Sequence, residues 1–421
     1  MIDKQRVLLI GVNTGQIDFE EAMEELKNLA TACEMEAAGR VDQNLRVPNP
    51  TYYIGSGKVE EVRDMMDSTG AEIIIFNNEL SPSQLRNLNR QLNTEIMDRT
   101  ALILEIFARR AKTREAKMQV EAAQLKYMLP RLAGLNGSLG RQGGGSGLNN
   151  RGAGEKKIEL DRRKIEQKIT ELDKELNHIS SEHQTQSKRR AATDLPRVAL
   201  VGYTNAGKST VMNALIERYQ KREEKKVFEK DMLFATLETS VRSIQLEDKK
   251  TFLLSDTVGF VSHLPHDLVK AFRSTLQEII EADLLLHIVD ISNPHYREQT
   301  QVTIDTLKQI GAEYIPAIYV YNKVDLIDSG ILPEIQTEGL FIAAKKNQGI
   351  DELISLISQK VFIKYVVCEM LIPYDKGDIV AYLNENAAVK STIYQNEGAL
   401  LTLECREADY KRYEQFLKTD R

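Results

Sequence analysis

A glycine-rich stretch near the middle of the chain carries residue types that bind nucleotide phosphates. It matches the pattern G-x-x-x-x-G-K-[ST] between a predicted strand and a predicted helix, which is the context this pattern requires. Its backbone N–H groups would surround the phosphates, Lys208 would offset the β- and γ-phosphate charge, and the Ser209 hydroxyl would coordinate Mg²⁺. The predicted contacts are Gly202, Tyr203, Thr204, Asn205, Ala206, Gly207, Lys208, Ser209 and Thr210.

A second motif, D-T-V-G, begins forty-eight residues after Lys208, at the end of the predicted strand T-F-L-L-S. A carboxylate at a strand end can hold Mg²⁺ through a water, and the N–H of the motif's glycine can meet the γ-phosphate. This predicts Asp256 as a water-mediated metal ligand and Gly259 as a catalytic contact. The predicted nucleotide contacts here are Asp256, Thr257, Val258 and Gly259.

The segment L-F-A-T-L-E lies between these two motifs and is predicted to respond to the γ-phosphate. Thr236 is the predicted switch threonine, contacting Mg²⁺ and completing a catalytic set with Lys208 and Gly259. Thr239 and Ser240 offer competing hydroxyls. The predicted contacts of this segment are Phe234, Ala235, Thr236, Leu237 and Glu238.

A third motif, N-K-V-D, follows the predicted strand A-I-Y-V-Y and selects the base. The Asp325 carboxylate can accept two hydrogen bonds from guanine N1–H and N2–H₂, which adenine cannot donate, so GTP is predicted to be preferred over ATP. The fifth loop, after the next strand, is predicted to complete the base contacts. The residues concerned are Asn322, Lys323, Val324, Asp325, Ala343, Ala344 and Lys345.

Two positions bear on the rate of hydrolysis. Phe260 stands where many GTPases carry a water-orienting glutamine, so intrinsic hydrolysis is predicted to be slow. His263 and His266 follow closely and are predicted to be exposed loop histidines rather than water-orienting groups. Asn205 has two open interpretations, a ligand for K⁺ bridging the phosphates and a side chain that shapes the loop.

The distribution of charge divides the chain more clearly than its total does. The 421 residues carry 56 Lys and Arg against 62 Asp and Glu, a net charge of -6 that argues against a dedicated nucleic-acid binder. Residues 98–190, however, hold 20 basic and 12 acidic side chains, a net charge of +8, which leaves -14 for the rest. That segment is predicted either to face phosphate or to be a solvated face of mixed charge.

Cysteine usage and hydropathy indicate a cytoplasmic protein. The three cysteines, Cys33, Cys368 and Cys405, are far apart in sequence and are predicted to be separate thiols rather than a metal site or a disulfide framework. The amino end lacks the pattern of a signal peptide, and no apolar run approaches the roughly 20 residues that cross a bilayer. No membrane anchor is expected.

Four regions follow from the periodicity of apolar residues. Residues 1–98 alternate short strands and helices, which predicts a small α/β domain with a mainly parallel sheet. Residues 99–192 are predicted to form an arm of two long antiparallel helices, the first over 99–132 and the second from 155 to about 186. Residues 193–364 predict a doubly wound α/β domain, and residues 365–421 a small α+β domain.

The tip of the predicted arm is unusual in composition. Residues 134–154 hold 9 of the chain's 24 glycines, a density that predicts a mobile loop. A glycine-rich tip with arginines on a long arm is best explained as a probe that enters a negatively charged cavity. The candidate RNA contacts are Arg141, Gly143, Gly144, Gly145 and Arg151.

Taken with these motifs, the chain resembles the HflX family, in the Obg-HflX group of ribosome-associated translation GTPases. The stretches that carry the resemblance include PNPTYYIGSGKVEE, DRTALILEIFARRAKTREAKMQVEAAQLKYMLPRL, RQGGGSG, GYTNAGKST, LFATLE and DTVGFVSHLPHDLVKAFRSTL. The resemblance implies a monomeric P-loop GTPase that binds GTP and GDP with Mg²⁺ and couples hydrolysis to the 50S subunit, its tip entering near the peptidyl-transferase centre. It also implies that the GTP form can split stalled 70S ribosomes.

Three departures from the usual pattern of that family keep alternatives open. Leu237-Glu238-Thr239-Ser240 replaces L-D-P-T, Ala343 replaces a serine, and Gly152-Ala153-Gly154-Glu155-Lys156 replaces G-P-G-E-T after an apparent insertion. The altered tip would suit a specialised paralogue, such as one that protects ribosomes from antibiotics. A large-subunit assembly factor is the other alternative.

Overall fold

The computed structural model describes residues 4–15, 18–132, 149–191, 195–219, 240–262, 276–327, 338–363 and 365–418. The chain divides into two compact units. One comprises Met1–Lys188, Lys230–Glu238 and Val258–Leu276, and the other Arg189–Glu229, Thr239–Thr257 and Gln277–Arg421. The two stretches after residue 188 that belong to the first unit therefore interrupt the second one in sequence.

The N-terminal domain alternates strands and helices around one parallel sheet of order β2-β1-β3-β4. Its elements are β1 (Arg6–Asn13), α1 (Phe19–Ala32), β2 (Glu36–Asn44), α2 (Ser56–Thr69), β3 (Ile73–Phe76), α3 (Pro82–Leu92) and β4 (Glu95–Asp98). Helix α3 begins as its sequence predicts, because Ser81 and Gln84 form a capping box and Pro82 occupies the first turn.

Helices cover both faces of this sheet, which explains why its inner strands β1 and β3 are almost continuously apolar. Along β1, Val7 and Leu9 belong to one core cluster, whereas Leu8 and Ile10 belong to the other. The first cluster is filled by α1 and by the helix that follows β4, and the second by α2 and α3. The alternation shows that successive side chains enter opposite cores.

The predicted first helix of the arm is broken into α4 (Arg99–Arg110) and α5 (Arg114–Leu132). The break has a local cause, because Ala111 is extended and the Thr113 hydroxyl accepts a hydrogen bond from Ala116 N at 3.2 Å, as a helix cap does. Leu102, Ile103, Ile106 and Phe107 of α4 lie in the N-terminal core. The domain boundary placed after residue 98 stays a prediction, and the packing of the N-terminal core continues beyond it through α4 and through Ala116, Val120 and Ala123 of α5.

Helix α6 (Asn149–Ala191) pairs with α5 in the antiparallel sense. The ion pair Arg114–Glu175 (2.8 Å) joins the start of α5 to the later part of α6, and Glu121–Lys168 (3.9 Å) joins a later residue of α5 to an earlier residue of α6. Met118, Ala122 and Leu172 pack between the two helices. With 43 residues, α6 is about 65 Å long.

The second α/β domain contains a six-stranded sheet of order β10-β9-β8-β5-β7-β6. Its elements are β5 (Arg197–Gly202), α7 (Lys208–Tyr219), β6 (Ser240–Gln245), β7 (Thr251–Asp256), α8 (Gln277–Ile280), β8 (Leu284–Asp290), α9 (Tyr296–Ile310), β9 (Ala317–Asn322), β10 (Gly339–Phe341) and α10 (Ile350–Val361). All neighbours are parallel except β6, which runs antiparallel to β7 at the sheet edge. The predicted α/β class is confirmed.

The C-terminal region forms a small α+β domain with an antiparallel sheet of order β11-β13-β12. Its elements are β11 (Tyr365–Ile372), α11 (Gly377–Asn386), β12 (Ala388–Gln395), β13 (Gly398–Arg406) and α12 (Glu407–Arg412). One face of the sheet is buried against the two helices through Met370, Leu383, Leu403 and Tyr413. Among the residues that the structure describes, no helix combines the length and apolar character needed to cross a bilayer.

Candidate nucleotide-binding site

The predicted phosphate loop lies between the central strand β5, which ends at Gly202, and helix α7, which begins at Lys208. Both glycines of the motif are required by geometry. Gly202 has φ +148°, and a Cβ there would lie 2.3 Å from Ile288 O; Gly207 has φ +95°, and a Cβ there would lie 2.2 Å from the Asn322 side-chain nitrogen. The loop therefore tolerates no side chain at either position.

Lys208 is buried within the loop that it is predicted to serve. Its Nζ donates to Gly202 O at 3.0 Å and to Tyr203 O at 2.8 Å. Burial lowers the pKa of Lys208 to about 8, and the nearby Asp256 carboxylate opposes part of that shift. Burial, with a smaller contribution from Lys208, lowers the pKa of His287 on β8 to about 3, so this histidine is neutral beside the lysine.

The Thr204 hydroxyl is a second polar group of the loop that suits a ligand. Thr204 is 6 % exposed, and its Oγ1 has no hydrogen-bond partner among the described residues. A buried hydroxyl without a partner carries a desolvation cost that a phosphate oxygen could remove. The loop thus contains an unsatisfied donor where the pattern predicts phosphate.

Asp256 and Ser209 bring two hard oxygen ligands together. Ser209 Oγ donates to Asp256 Oδ2 at 2.7 Å, and Asp256 is fully buried at the end of β7. The next residue ties this strand end to the phosphate-loop strand, because Thr257 Oγ1 donates to Leu200 O at 2.6 Å. A hydroxyl beside a carboxylate is the type of oxygen set that Mg²⁺ prefers, so the residues present fit that ion.

Asn322 connects the phosphate loop with the fifth loop. Its Nδ2 donates to Ala206 O at 3.0 Å, and its Oδ1 accepts from Ala344 N at 3.1 Å. The fifth loop is closed on itself by two backbone hydrogen bonds between Ala343 and Gln348, at 3.1 and 3.2 Å. The two loops that the sequence separates by more than a hundred residues are therefore joined through one side chain.

Ion pairs hold the remaining groups predicted to read the base. Lys323 is in the left-handed region at φ 65°, and its Nζ lies 2.7 Å from Asp290 at the end of β8. Asp325 is 12 % exposed, and its carboxylate lies 3.2 Å from Lys346 Nζ. Lys345 is exposed on the same loop.

The chain passes from one compact unit to the other between Thr257 and Val258. Val258 and Val261 lie in the core cluster of the N-terminal domain. Arg99, at the start of α4, donates to Ser262 O from Nη2 at 3.1 Å and from Nε at 3.3 Å. Gly259, the predicted γ-phosphate contact, is thus in a segment held by the N-terminal domain.

Arg99 is itself fully partnered and buried. Its guanidinium also donates to Asn77 Oδ1 at 2.9 Å and forms an ion pair with Glu25, and the Arg99 side chain is 3 % exposed. Three acceptors from three parts of the unit therefore converge on one cation, which is how a buried charge is retained.

Several predicted residues lie outside the part that the structure describes. They are Phe234, Ala235, Thr236, Leu237 and Glu238 of the switch segment, His263 and His266, and Arg141, Gly143, Gly144 and Gly145 of the tip. Arg151 belongs to α6, but its side chain is also outside the described part. The roles assigned to all of these residues stay predictions.

Sequence reasoning missed three side chains that organise the site. Asp290 ends the strand L-L-L-H-I-V-D, a position where a carboxylate is a recognisable signal, whereas Lys346 is simply the second lysine of a pair. Arg99 carries no signal of its role, because its contact with Ser262 spans 163 residues.

Comparison with protein families covers most of the chain. The model described as "GTP-binding GTPase N-terminal" matches residues 20–108, and "GTP-binding GTPase Middle Region" matches residues 110–190. The model described as "50S ribosome-binding GTPase" matches residues 197–323, from β5 to just after the end of β9.

Curated relatives match over nearly their whole length. The GTPase HflX of Caldanaerobacter subterraneus is 41 % identical over 409 residues, covering 96 % of this chain and 93 % of the relative. The GTPase HflX of Escherichia coli is 34 % identical over 402 residues, covering 94 % of this chain and 92 % of the relative. Among solved structures, a GTP-binding protein from Sulfolobus solfataricus in complex with GDP is 24 % identical, with a TM-score of 0.44 over 85 % of this chain and 99 % of that one.

Proposed function

The chain belongs to the HflX family of GTPases and hydrolyses GTP, and on that premise we propose that it binds the 50S subunit and, with GTP bound, dissociates or rescues stalled 70S ribosomes. The hydrolytic reaction produces GDP and phosphate. The proposal assigns the useful output to the binding event, with hydrolysis setting how long the GTP form persists.

The basic arm is the observation that carries the ribosome proposal. Residues 98–190 have a net charge of +8 in a chain of net charge -6, and they contain the antiparallel pair of α5 and α6. Positive side chains on an extended arm lower the free energy of contact with RNA phosphates, and α6, at about 65 Å, is long enough to reach beyond the domain that carries it. The alternative, a solvated helical face of mixed charge, would not require a helix as long as α6.

We further propose that the nucleotide occupies the loops described above. Ser209, Asp256 through a water, and Thr236 would hold Mg²⁺, which supplies positive charge beside the β- and γ-phosphates. Lys208 would exchange its two carbonyl acceptors for phosphate oxygens, and the Thr204 hydroxyl would gain an acceptor. Asp325 would read guanine, and Asn205, in the left-handed region at φ 62°, would be available to a K⁺ ion.

Intrinsic hydrolysis is proposed to be slow for a structural reason. Phe260 follows Gly259 directly and is 2 % exposed, so it offers neither a polar group nor access to a water. The water would have to be oriented by a rearrangement of the switch segments or by the ribosome. Single-turnover hydrolysis without ribosomes that is as fast as with them would refute this part of the proposal.

Sedimentation of 70S ribosomes through sucrose gradients tests the main proposal. Ribosomes are incubated with the protein and GTP, GDP or a non-hydrolysable GTP analogue. Loss of the 70S peak with the analogue and not with GDP is the expected result. An intact 70S peak with the protein migrating only with 50S would contradict splitting and favour the assembly alternative.

A matched pair of variants separates the arm from the GTPase domain. Arg141→Ala with Arg151→Ala removes two charges at the tip and is expected to weaken splitting while leaving GDP affinity unchanged. Lys308→Ala, an exposed lysine on α9, is the control and is expected to change neither. Equal splitting by the tip variant and the control would remove the proposed role of these arginines.

A further inference from the structure

Two of the three cysteines meet in the C-terminal sheet, although their spacing in the sequence predicts three separate thiols. Cys368 lies on β11 and Cys405 on β13, 37 residues apart in the chain, and their sulfur atoms are 3.9 Å apart. Both are free thiols in this structure. The pairing of two antiparallel strands, which no spacing rule predicts, brings them together.

The strand register explains how the sulfurs approach. Cys368 is opposite Leu403, and Cys405 is opposite Val366, so the cysteines are diagonal neighbours offset by two residues. Residues two apart on a strand share a face, and diagonal cross-strand neighbours lie within reach of each other. Both sulfurs therefore lie on the side of the sheet that packs on the C-terminal core.

The two thiols differ in accessibility and in acidity. Cys405 is fully buried, whereas Cys368 is partly exposed. The hydrogen bond between them lowers the pKa of Cys368 and raises that of Cys405, where burial adds to the increase. Cys368 is thus the thiol that a solvent-borne oxidant meets first and the one that more readily forms the reactive thiolate.

Cys33 provides an internal contrast. It is 1 % exposed in the N-terminal core, its thiol lies 3.9 Å from Leu102 O, and burial raises its pKa to about 12. It has neither access to solvent nor a neighbouring thiol among the described residues.

We propose that Cys368 and Cys405 form a reversible disulfide when the protein meets a peroxide. The Cys368 thiolate attacks one peroxide oxygen, the O–O bond breaks, and the departing hydroxide takes up a proton to leave as water. The resulting sulfenic acid is attacked by the Cys405 sulfur, the S–O bond breaks, and the hydroxyl leaves as a second water with the Cys405 proton. Two thiols and one hydrogen peroxide thus give one disulfide and two waters.

One side of the proposed bond would be open to cellular thiols. Cys368 is partly exposed, whereas Cys405 is buried. A thiolate from solvent could therefore attack at the Cys368 sulfur, and exposed disulfides are the labile ones.

The position of the bond connects it to the rest of its compact unit. Three residues before Cys368, Tyr365 packs edge-to-face on Phe362 at 5.1 Å, just after the last helix of the GTPase domain. Beside Cys405, Glu404 forms an ion pair with Lys250 of the β6–β7 turn, with 2.9 Å between Oε1 and Nζ. The disulfide would join the strand that leaves the GTPase domain to the central strand of the C-terminal sheet.

Thiol mapping of the full-length protein tests the proposal. Reduced protein is treated with hydrogen peroxide, blocked with N-ethylmaleimide, digested without reductant and analysed by mass spectrometry. The expected product is an intramolecular Cys368–Cys405 cross-linked peptide, with Cys33 still alkylated, and incubation with reduced glutathione is expected to restore both thiols. Three fully alkylated cysteines, a cross-link to Cys33 or another chain, or Cys368 as sulfinic acid without a cross-link would overturn the proposal.

Three serine variants act as matched controls. In Cys405→Ser, Cys368 should accumulate as a sulfenic acid that dimedone traps, whereas Cys33→Ser should form the cross-link as the unmodified protein does. If Cys405→Ser fails to fold, Cys368→Ser, at the more exposed position, takes its place. In that variant the number of free thiols should not change with peroxide. None of these measurements depends on ribosome binding or on GTP, so they stand apart from the proposed function.

Discussion

The loops proposed to read guanine and the segment that follows Asp256 are held by different parts of the molecule. The base-reading loops are tied to their own domain, through Asn322 to the phosphate loop and through Lys323 to Asp290. The segment after Thr257 belongs to the other compact unit and is anchored there by Arg99. The loops predicted to select the base are therefore held within one domain, whereas Gly259, the predicted γ-phosphate contact, is in a segment that packs with the N-terminal domain.

The largest effect expected from this comparison is on the base-reading side. In Asp325→Asn, an amide N–H₂ would face the guanine 2-amine, so GDP affinity should fall by about 10²- to 10⁴-fold. Xanthosine diphosphate, which has a C2 carbonyl in place of that amine, should bind the variant better than GDP does. Calorimetric titration of both nucleotides into the unmodified protein and the variant measures the change in base preference. A variant that keeps its preference for guanine would place base recognition elsewhere.

In the N-terminal unit, Arg99→Met should lower the free energy of unfolding by about 3–5 kcal/mol, because Glu25 and Asn77 lose their buried partner. Amide hydrogen exchange of β1 and β3 during urea titration measures the change. The matched control is Arg109→Met. Arg109 is 41 % exposed, and loss of its ion pair with Glu105 should cost less than about 1 kcal/mol. Equal losses in the two variants would contradict the anchoring role of Arg99.

The buried lysine of the phosphate loop predicts that nucleotide affinity depends on pH. The pKa of Lys208 is lowered to about 8 without nucleotide, and phosphate oxygens should raise it, so binding takes up a proton. Affinity is then highest below pH 8 and falls as pH rises, by about threefold between pH 7.5 and 8.5. Measurements below pH 9 avoid ionisation of the base, and a flat profile would show that the lysine is already fully charged without ligand.

The smallest expected effect concerns Lys346, which pairs with Asp325 at 3.2 Å. Guanine needs both carboxylate oxygens, whereas hypoxanthine, which lacks the 2-amine, needs one. Lys346→Gln should therefore strengthen GDP binding by about two- to fivefold and inosine diphosphate binding less, since partly exposed ion pairs contribute little. Lys308→Gln, which breaks an exposed pair with Asp305, is the control and should change neither affinity.

Strong local patterns were sufficient to predict the class of the fold and most strands of the GTPase domain. Two strands at sheet edges escaped, because β2 (Glu36–Asn44) is polar and half-exposed and β6 (Ser240–Gln245) follows a segment without clear periodicity. The break before α5 depends on the single hydroxyl of Thr113, which a long amphipathic pattern conceals. The periodicity of apolar residues shows which face of a helix is buried. It does not show where a single capping residue ends one helix and begins the next.

Residues of the site were predictable where they belong to a sequence motif. Lys208 and Asp325 are recognisable by type and spacing, but contacts between residues far apart in sequence are not. The contacts of Arg99 with Ser262 and of Cys368 with Cys405 join residues that are distant in sequence through tertiary packing and strand register. No local property of the chain encodes such a pairing, so only a structure can reveal it.

Asn322 has a consequence for the speed of nucleotide binding. Its amide uses its donor on Ala206 and its acceptor on Ala344, and the two loops are thereby ordered before any ligand arrives. The conformational entropy of ordering them is lost when the protein folds, so it does not enter the association step. Base and phosphate loops should therefore capture nucleotide at a rate governed by diffusion and charge, and exchange between GDP and GTP should be governed by how fast the bound nucleotide leaves.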